Sequence, residues 1–159
     1  ILTAQRRDEV ATMQWQHLDL EAALWRLPRE ATKADRAHEV PLAPQVVELF
    51  EGLPRFQGPH VFTTTGGAKA VSGFSKWKRK LDELSGVSGW RLHDLRRTAA
   101  SGMARLGTPP HILSAVLNHA PATTMGVTAI YNRYGYQDEM RQALEAWAAH
   151  VQMVVNGNK

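Results

Sequence analysis

Strand-like alternation of apolar and polar residues occurs only in a short part of this sequence. It runs from Leu20 to Leu27 and again from His38 to Leu42, and the polar, turn-like residues between the two runs predict a β-hairpin with a long tip. A third short strand is expected at residues 61–63, before the turn at Gly66-Gly67. Elsewhere the apolar residues recur at helical steps of three and four. The pattern therefore predicts an α+β fold, mainly helical with a small antiparallel sheet, and argues against a doubly wound parallel sheet.

Six segments have the periodicity and the end signals of helices. They are Arg6–Trp15, Pro44–Phe50, Ser72–Leu84, Trp90–Leu106, His111–Leu117 and Asp138–Val154. The third of them is basic and is expected to bury Phe74, Trp77 and Leu81 on its inner face. The closing helix is expected to bury an apolar stripe in the core, although the same stripe could dock on a neighbouring copy. That stripe consists of Met140, Leu144, Trp147 and Val151.

Composition limits the class of protein further. The chain has 159 residues, of which 43% are hydrophobic, and this suits one ordinary domain spanning residues 1–159. It contains no cysteine, so disulfides, thiolate zinc sites and cysteine nucleophiles are excluded. No apolar run approaches the ~20 residues of a membrane-spanning helix, and we expect a soluble protein without a membrane partner. The chain begins at Ile1 without a methionine, so we also expect it to be part of a longer one.

Positive charge is concentrated in the middle of the chain, within a formal net charge of +4. No acidic residue occurs from Gly52 to Leu81, whereas acidic residues outnumber basic ones after residue 137. This distribution fits a face that binds a polyanion, and it fits a solvated basic surface equally well.

The strongest local cluster of chemically useful side chains is the segment 91–97, Arg-Leu-His-Asp-Leu-Arg-Arg. On a helix, His93 and Arg96 lie three residues apart and share a face. A guanidinium can clamp two phosphate oxygens and an imidazole can move a proton near neutral pH, as phosphodiester chemistry requires. Taken alone, the cluster also fits a helix whose polar side faces water.

The three tyrosines of the chain all fall within residues 131–136. They could form an aromatic packing cluster, or one of them could be a nucleophile if cations lowered the pKa of its phenol and a base removed its proton. The histidines and acidic residues do not have the spacing of a metal site, so no metal is expected. No glycine-rich phosphate loop is present, and no cofactor is expected.

The order of these residues, over nearly the whole chain, resembles the C-terminal catalytic domain of the tyrosine recombinase (phage integrase) family. That family's signature is an arginine with a glutamate three residues later, a hairpin lysine, His-x-x-Arg, a later histidine and a tyrosine. The matching residues are Arg6, Glu9, Lys33, His93, Arg96, His119 and Tyr131. Tyr131, followed by Asn-Arg, best matches the nucleophile, with Tyr134 as the alternative and Tyr136 as a more distant one. Ala4 and Asn118 stand where the family usually has glycine.

The resemblance implies a metal-independent enzyme that integrates or excises a prophage or genomic island. Arg6 and Arg96 would clamp the scissile phosphate, and His119 would donate a further hydrogen bond. His93 would accept the tyrosine proton and Lys33 would protonate the departing 5′ oxygen, which leaves a 3′-phosphotyrosyl link. Glu9 would orient its neighbours. The residues expected to hold DNA phosphates are Arg7, Lys69, Lys76, Lys78, Arg79, Lys80 and Arg97.

The resemblance also implies partners and a location. We expect double-stranded attachment-site DNA, a homo-tetramer on that DNA, a DNA-bending accessory protein, and action at the nucleoid of the bacterial cytoplasm. An N-terminal core-binding domain would lie outside this chain. Two other functions stay open: a DNA-binding module of the same fold without catalysis, and a type IB topoisomerase, which shares the chemistry but relaxes supercoils without partner sites.

Overall fold

The computed structural model describes residues 1–119 and 135–157. Its helices are α1 (Arg7–Ala11), α2 (Pro44–Glu51), α3 (Phe74–Ser85), α4 (Leu92–Arg105), α5 (Pro110–Val116) and α6 (Gln137–Gly157). Its strands are β1 (Leu18–Asp19), β2 (Leu24–Leu27) and β3 (His38–Pro41), and short 3₁₀ turns lie at Trp15–His17 and Arg29–Ala31. The fold is therefore α+β, mainly helical with a small antiparallel sheet, as the sequence predicts. Within the described residues, no helix is long and apolar enough to cross a membrane.

The strands form one antiparallel sheet in the order β1-β2-β3. Trp25 of β2 pairs with Val40 of β3, and both side chains are almost fully buried on the core face. Because side chains alternate along a strand, the neighbouring pair Arg26 and Glu39 faces solvent, with guanidinium and carboxylate 3.5 Å apart. The tip between β2 and β3 holds Lys33 and lies beside the start of α1.

The core lies between this sheet and the last three helices, because α6 packs on β3, α4 and α5. Met140, Leu144 and Trp147 of α6 are buried, and Val151 packs against the edge of the same cluster. Burying one side chain of this size contributes about 1.5–3 kcal/mol relative to leaving it exposed. The expectation that the stripe on the closing helix belongs to the core is confirmed.

The first helix is shorter than the predicted Arg6–Trp15. α1 ends at Ala11, and the chain then runs beside residues 59–61, where the Met13 carbonyl accepts the Val61 N–H and the Trp15 N–H donates to the Pro59 carbonyl, both at 3.0 Å. In a longer helix, these backbone groups would instead form hydrogen bonds within the helix. The contact between distant segments therefore overrides the local helical pattern.

The short strand predicted at residues 61–63 is not formed. Its backbone makes separate single hydrogen bonds, including the one from Val71 N–H to the Phe62 carbonyl at 2.9 Å, and the nearby pairing of Gln14 with His60 is an isolated bridge. The third strand of the sheet is instead β1, which lies just before the predicted alternation.

The prediction that the basic helix α3 buries one face is also wrong. No residue of α3 is buried, and the side chains of Trp77 and Leu81 are 48% and 46% exposed. Phe74 is half-buried, with the Arg7 guanidinium 4.9 Å from the centre of its ring. The helical periodicity identified the helix correctly, but no other described element covers its apolar side.

Candidate active site

Glu9 connects the start of α1 with the tip of the β2–β3 hairpin. Its side chain is 5% exposed, and its carboxylate accepts hydrogen bonds from the Arg6 backbone N–H and from Arg6 Nη1, both at 3.0 Å. It also accepts the backbone N–H of Lys33 at 3.3 Å. A buried carboxylate needs such partners, because an unpaired charge in the interior is costly. Glu9 therefore fixes Arg6 and the Lys33 loop relative to each other.

Arg96 reaches from α4 to two backbone segments that border the site. Nη1 donates to the Ala4 carbonyl at 2.8 Å, and Nη2 donates to the Leu117 carbonyl. Burial and then the nearby positive charge of Arg6 lower the pKa of Arg96 to about 10, while Glu9 opposes the shift. The guanidinium is still protonated at neutral pH. Two like charges are thus held close together, and a bound anion would relieve their repulsion.

His119 follows the end of α5, where its backbone N–H donates to the Ser114 carbonyl at 3.0 Å. Partial burial lowers the pKa of its imidazole, and the positive charges of Arg96, Arg6 and Arg36 lower it further. A lowered pKa favours the neutral ring, which can donate one N–H to an oxygen. Its position follows from hydrogen bonds: Arg96 donates to the Leu117 carbonyl two residues earlier, and Arg36 donates to the carbonyl of His119 itself.

His93 lies in the first turn of α4, three residues before Arg96, and its side chain is exposed. Both residues line a groove of about 470 Å³ that is walled by Phe62 and Phe74, with Arg7 also lining it. The helix thus presents an imidazole and a guanidinium to the same open groove, as the spacing predicts.

Lys33 is exposed on the hairpin tip, and only its backbone is held by Glu9. The pKa of the Asp8 carboxyl is lowered mainly by its hydrogen bond with Arg7, and the charge of Lys33 adds to this effect. The Lys33 ammonium therefore lies near Asp8, at the start of α1.

Of the three candidate nucleophiles, Tyr131 and Tyr134 lie outside the described residues. Tyr136 is half-buried just before α6, and its ring centre lies 5.3 Å from that of His111. Its carbonyl accepts the Met140 N–H at 2.8 Å, so this tyrosine takes part in the packing at the start of the closing helix.

A family profile described as the phage integrase family matches residues 1–138 of the chain. The chain belongs to the phage integrase family. Prophage integrase IntA of Escherichia coli K12 is 27% identical in an alignment of 160 positions that covers 99% of this chain and 38% of IntA. Prophage integrase IntZ of the same strain is 29% identical in an alignment of 163 positions that covers 99% of this chain and 39% of IntZ.

A further relative in the phage integrase family is the integrase of Shigella phage Sf6, which is 27% identical over 92% of this chain and 38% of its own length. The chain spans less than two fifths of the length of these curated relatives. No solved structure matches it. The family that the order of residues predicts is confirmed.

The basic residues assigned to DNA phosphates in this phage integrase chain differ in their surroundings. Several are exposed: Lys69, Lys76, Arg79 and Lys80. Lys78 is instead paired, since its ammonium lies 2.6 Å from both carboxylate oxygens of Asp82 and 4.1 Å from the centre of the Trp90 ring. Arg7 and Arg97 are exposed, and each is paired with a neighbouring aspartate, at 2.7 and 3.2 Å.

Two residues at this site were missed by sequence reasoning. His38 of β3 is buried with Nε2 3.2 Å from the Val116 carbonyl, and burial is the main cause that lowers the pKa of its ring. Arg36 donates hydrogen bonds to the Asn118 side chain and to the His119 carbonyl. Arg36 lies in the polar hairpin tip, where no periodicity marks it, and the alternation that begins at His38 predicts a strand residue but no place at the site.

Among residues 1–119 and 135–157, no group of three histidine or carboxylate side chains could hold a metal ion. The side chains near Glu9 and His119 are instead cationic: Arg6 and Arg96 lie near both, and Arg36 lies near His119. Such an arrangement favours an anion with several oxygen atoms. The described part of the site is therefore suited to a phosphate group.

Proposed function

We propose that this chain is the C-terminal catalytic domain of a site-specific tyrosine recombinase, which joins a DNA strand to a tyrosine through a 3′-phosphotyrosyl bond. The observation that carries this proposal is the pair of guanidinium groups, Arg6 and Arg96, held close to the buried Glu9 with His119 beside them. Membership of the phage integrase family supports it, and one similar protein is named a shufflon-specific DNA recombinase of Escherichia coli, 29% identical over 67% of this chain and 26% of its own length.

The arginine pair binds the scissile phosphate and stabilises the transition state. Attack of a phenolate on phosphorus increases the negative charge on the non-bridging oxygens. Arg96 has two N–H bonds on each Nη, and its contacts with the carbonyls of Ala4 and Leu117 leave N–H bonds for the phosphate. Because Arg96 is already anchored, it needs little reorganisation, and losing a donor of this kind costs about 10²–10³ in rate.

Protons move at both ends of the displacement. His93 accepts the phenol proton of Tyr131 as the oxygen–phosphorus bond forms, and Lys33 gives a proton to the 5′ oxygen as its bond to phosphorus breaks. The free 5′-hydroxyl of another strand then reverses these steps on the phosphotyrosine. One phosphodiester is exchanged for another, so the reaction consumes no nucleotide and needs no metal.

In the full-length protein, four copies act on paired double-stranded attachment sites, with a DNA-bending accessory protein and a second DNA-binding domain N-terminal to this one. The activity integrates or excises a prophage or genomic island at the bacterial nucleoid. That three relatives are named integrases supports the proposed integration activity, and their greater length supports a further domain.

Covalent trapping on a nicked suicide substrate tests the proposal. The full-length protein is mixed with end-labelled attachment-site DNA, denatured in detergent and separated on a gel, beside the variants Tyr131→Phe, Tyr134→Phe and Arg96→Ala. We expect the wild type to form a detergent-stable adduct and Tyr131→Phe to form none. Arg96→Ala should form the adduct at least about 10²-fold more slowly than wild type.

Loss of the adduct only in Tyr134→Phe would support the proposed function and identify Tyr134 as the nucleophile. Clear DNA binding without any adduct would contradict the proposal and leave a DNA-binding module. Relaxation of supercoiled DNA that lacks attachment sites would indicate a topoisomerase instead.

A further inference from the structure

Arg36 joins the hairpin that carries Lys33 to the turn that carries His119. Its Nε–H donates to Asn118 Oδ1 at 2.6 Å, and its Nη2 donates to the backbone carbonyl of His119. The two acceptors are more than eighty residues away in sequence. The planar guanidinium can serve both at once because its N–H bonds have a fixed fork geometry.

The backbone of Arg36 is fixed from the opposite side by Thr32, the residue before Lys33. The Thr32 hydroxyl accepts the Arg36 N–H at 3.2 Å and donates to the Arg36 carbonyl at 2.7 Å. Thr32 is buried, and the next peptide N–H is the one that binds Glu9. A continuous set of hydrogen bonds therefore runs from Glu9 through the Lys33 loop to Arg36 and on to His119.

The end of α5 is held by Arg96 at the Leu117 carbonyl and by Gln5 and His38 at the Val116 carbonyl. Among the described contacts, Arg36 is the side chain that reaches the two residues beyond it, Asn118 and His119. Asn118 is buried with a positive φ of 47°, and its Nδ2 has no hydrogen-bond partner among the described residues. The backbone N–H groups of Asn118 and His119 donate back to the carbonyls of Ala115 and Ser114, both at 3.0 Å. These local bonds fix Asn118 and His119 relative to α5, whereas Arg36 bonds both residues directly to the hairpin tip.

We propose that Arg36 is a positioning residue of the phosphate site, which sets the distance between Lys33 and His119 so that both act on the same phosphodiester. The inference rests on the function proposed above. Two of the donor nitrogens of Arg36 are already bound to protein, so it acts through His119 and the Lys33 loop. A misplacement of about 1 Å in such an arrangement can cost about 10²-fold in rate.

Cleavage rates at saturating DNA test this role in the full-length protein. Arg36→Ala removes the guanidinium, Arg36→Lys keeps the charge but not the fork, and Asn118→Gly removes one acceptor while suiting the positive φ. Arg29→Ala is the matched control, because Arg29 is exposed on the same hairpin and its guanidinium binds only Asp35 among the contacts described, at 2.7 and 2.8 Å. We expect Arg36→Ala and Arg36→Lys to cleave about 10²-fold more slowly, Asn118→Gly to show a smaller loss, and Arg29→Ala to match wild type.

A double-mutant comparison separates positioning from direct contact. If Arg36 acts through His119, then Arg36→Ala adds much less to the defect of His119→Ala than it causes alone. A substrate with sulfur in place of the bridging 5′ oxygen has a leaving group that needs no proton. On this substrate, Arg36→Ala should lose less rate, because the contribution of Lys33 is no longer needed. Full additivity with His119→Ala, or weaker DNA binding with an unchanged saturated rate, would show that Arg36 contacts DNA itself and would overturn the inference.

A measurement without DNA keeps the inference testable if no cleavage is found. The proton resonances of the His119 ring are followed by NMR during a pH titration of wild type, Arg36→Ala and Arg29→Ala. Arg36→Ala should shift these resonances and raise the pKa of His119, because one of the cations that lower it is gone. Unchanged His119 signals in folded Arg36→Ala would refute the positioning role, whereas absence of adduct with wild type would refute only the proposed reaction.

Discussion

Ala4 and Asn118 have backbone φ angles of 54° and 47°, in the left-handed region that most L-residues avoid. They are the two positions where the sequence lacks the glycine that is usual in the family. At Ala4 the turn directs the carbonyl toward Arg96, and at Asn118 it directs the next carbonyl toward Arg36. The left-handed conformation costs alanine roughly 1–2 kcal/mol and asparagine less, and at both positions it orients a carbonyl that accepts from one of the two guanidinium groups.

Substitutions at Asn118 separate this backbone cost from the lost hydrogen bond. Asn118→Gly and Asn118→Ala both remove the amide that accepts from Arg36, but only alanine places a Cβ in the unfavourable conformation. We expect Asn118→Gly to be about 1 kcal/mol more stable than Asn118→Ala in urea unfolding. Equal stability of the two variants would mean that the turn is not left-handed in solution.

Helices α4 and α6 pack closely at Gly102, which faces the ring of Trp147. A Cβ built on Gly102 would lie 2.1 Å from Trp147 Cζ3, and the ring is buried and cannot move aside freely. Gly102→Ala should therefore destabilise the protein by about 1–3 kcal/mol, although alanine favours a helix more than glycine does. The measurement is the free energy of unfolding in urea.

The matched control for this contact is Gly157→Ala at the end of α6, where no atom of the described residues lies within 4 Å of the added Cβ. It should be neutral or slightly stabilising. If Gly102→Ala is as stable as this control, then α4 and α6 are not packed as closely as described.

Two lysines of α3 differ in what their ammonium groups contact. Lys80 is exposed, whereas Lys78 is bound by Asp82 and lies over Trp90. Lys80→Gln should reduce the slope of log affinity against log salt for a random DNA duplex by about 0.9, because one phosphate contact is lost. Lys78→Gln should leave the slope nearly unchanged, since its charge is already paired within the protein.

Fluorescence anisotropy between about 50 and about 200 mM salt gives both slopes. Equal changes for the two variants would contradict the division of these lysines into exposed and paired ones. A salt-independent affinity of the wild type would contradict phosphate contacts altogether.

The stability of the whole molecule should depend on pH through two histidines in and beside the site. Burial is the main cause that lowers the pKa of His38 and of His119 below the ordinary value of about 6.5. As the pH falls below about 6.5, the unfolded chain takes up protons that the folded chain does not, so the free energy of unfolding decreases until the folded pKa is reached. Above that range both states carry neutral rings and this effect is absent.

Urea unfolding at about pH 7 and about pH 5 measures this loss. His38→Gln should flatten the pH dependence, because a side-chain amide can donate to the Val116 carbonyl without titrating. Lys80→Gln, which removes an exposed charge but no imidazole, should keep the wild-type dependence. A His38→Gln protein with the full dependence would exclude His38 as its source.

The sequence by itself determined the fold class, the extents of most helices and the order of the site residues. Short-range periodicity sufficed for α4, α5 and α6, because each buries one face along a regular helix. The spacing of His93 and Arg96 likewise placed both on one groove. Such features depend on neighbours three or four residues apart, which a single sequence displays directly.

Only the tertiary structure decided which partners these residues meet. Contacts between distant segments decide where α1 ends and which strand completes the sheet. The absence of a covering element among the described residues leaves the apolar side of α3 exposed. Glu9 acts through a hydrogen bond from Lys33, which is 24 positions away in the sequence. Arg36 acts through a hydrogen bond to Asn118, which is more than eighty positions away. Burial and long-range hydrogen bonding are properties of the assembled chain, and local pattern cannot specify them.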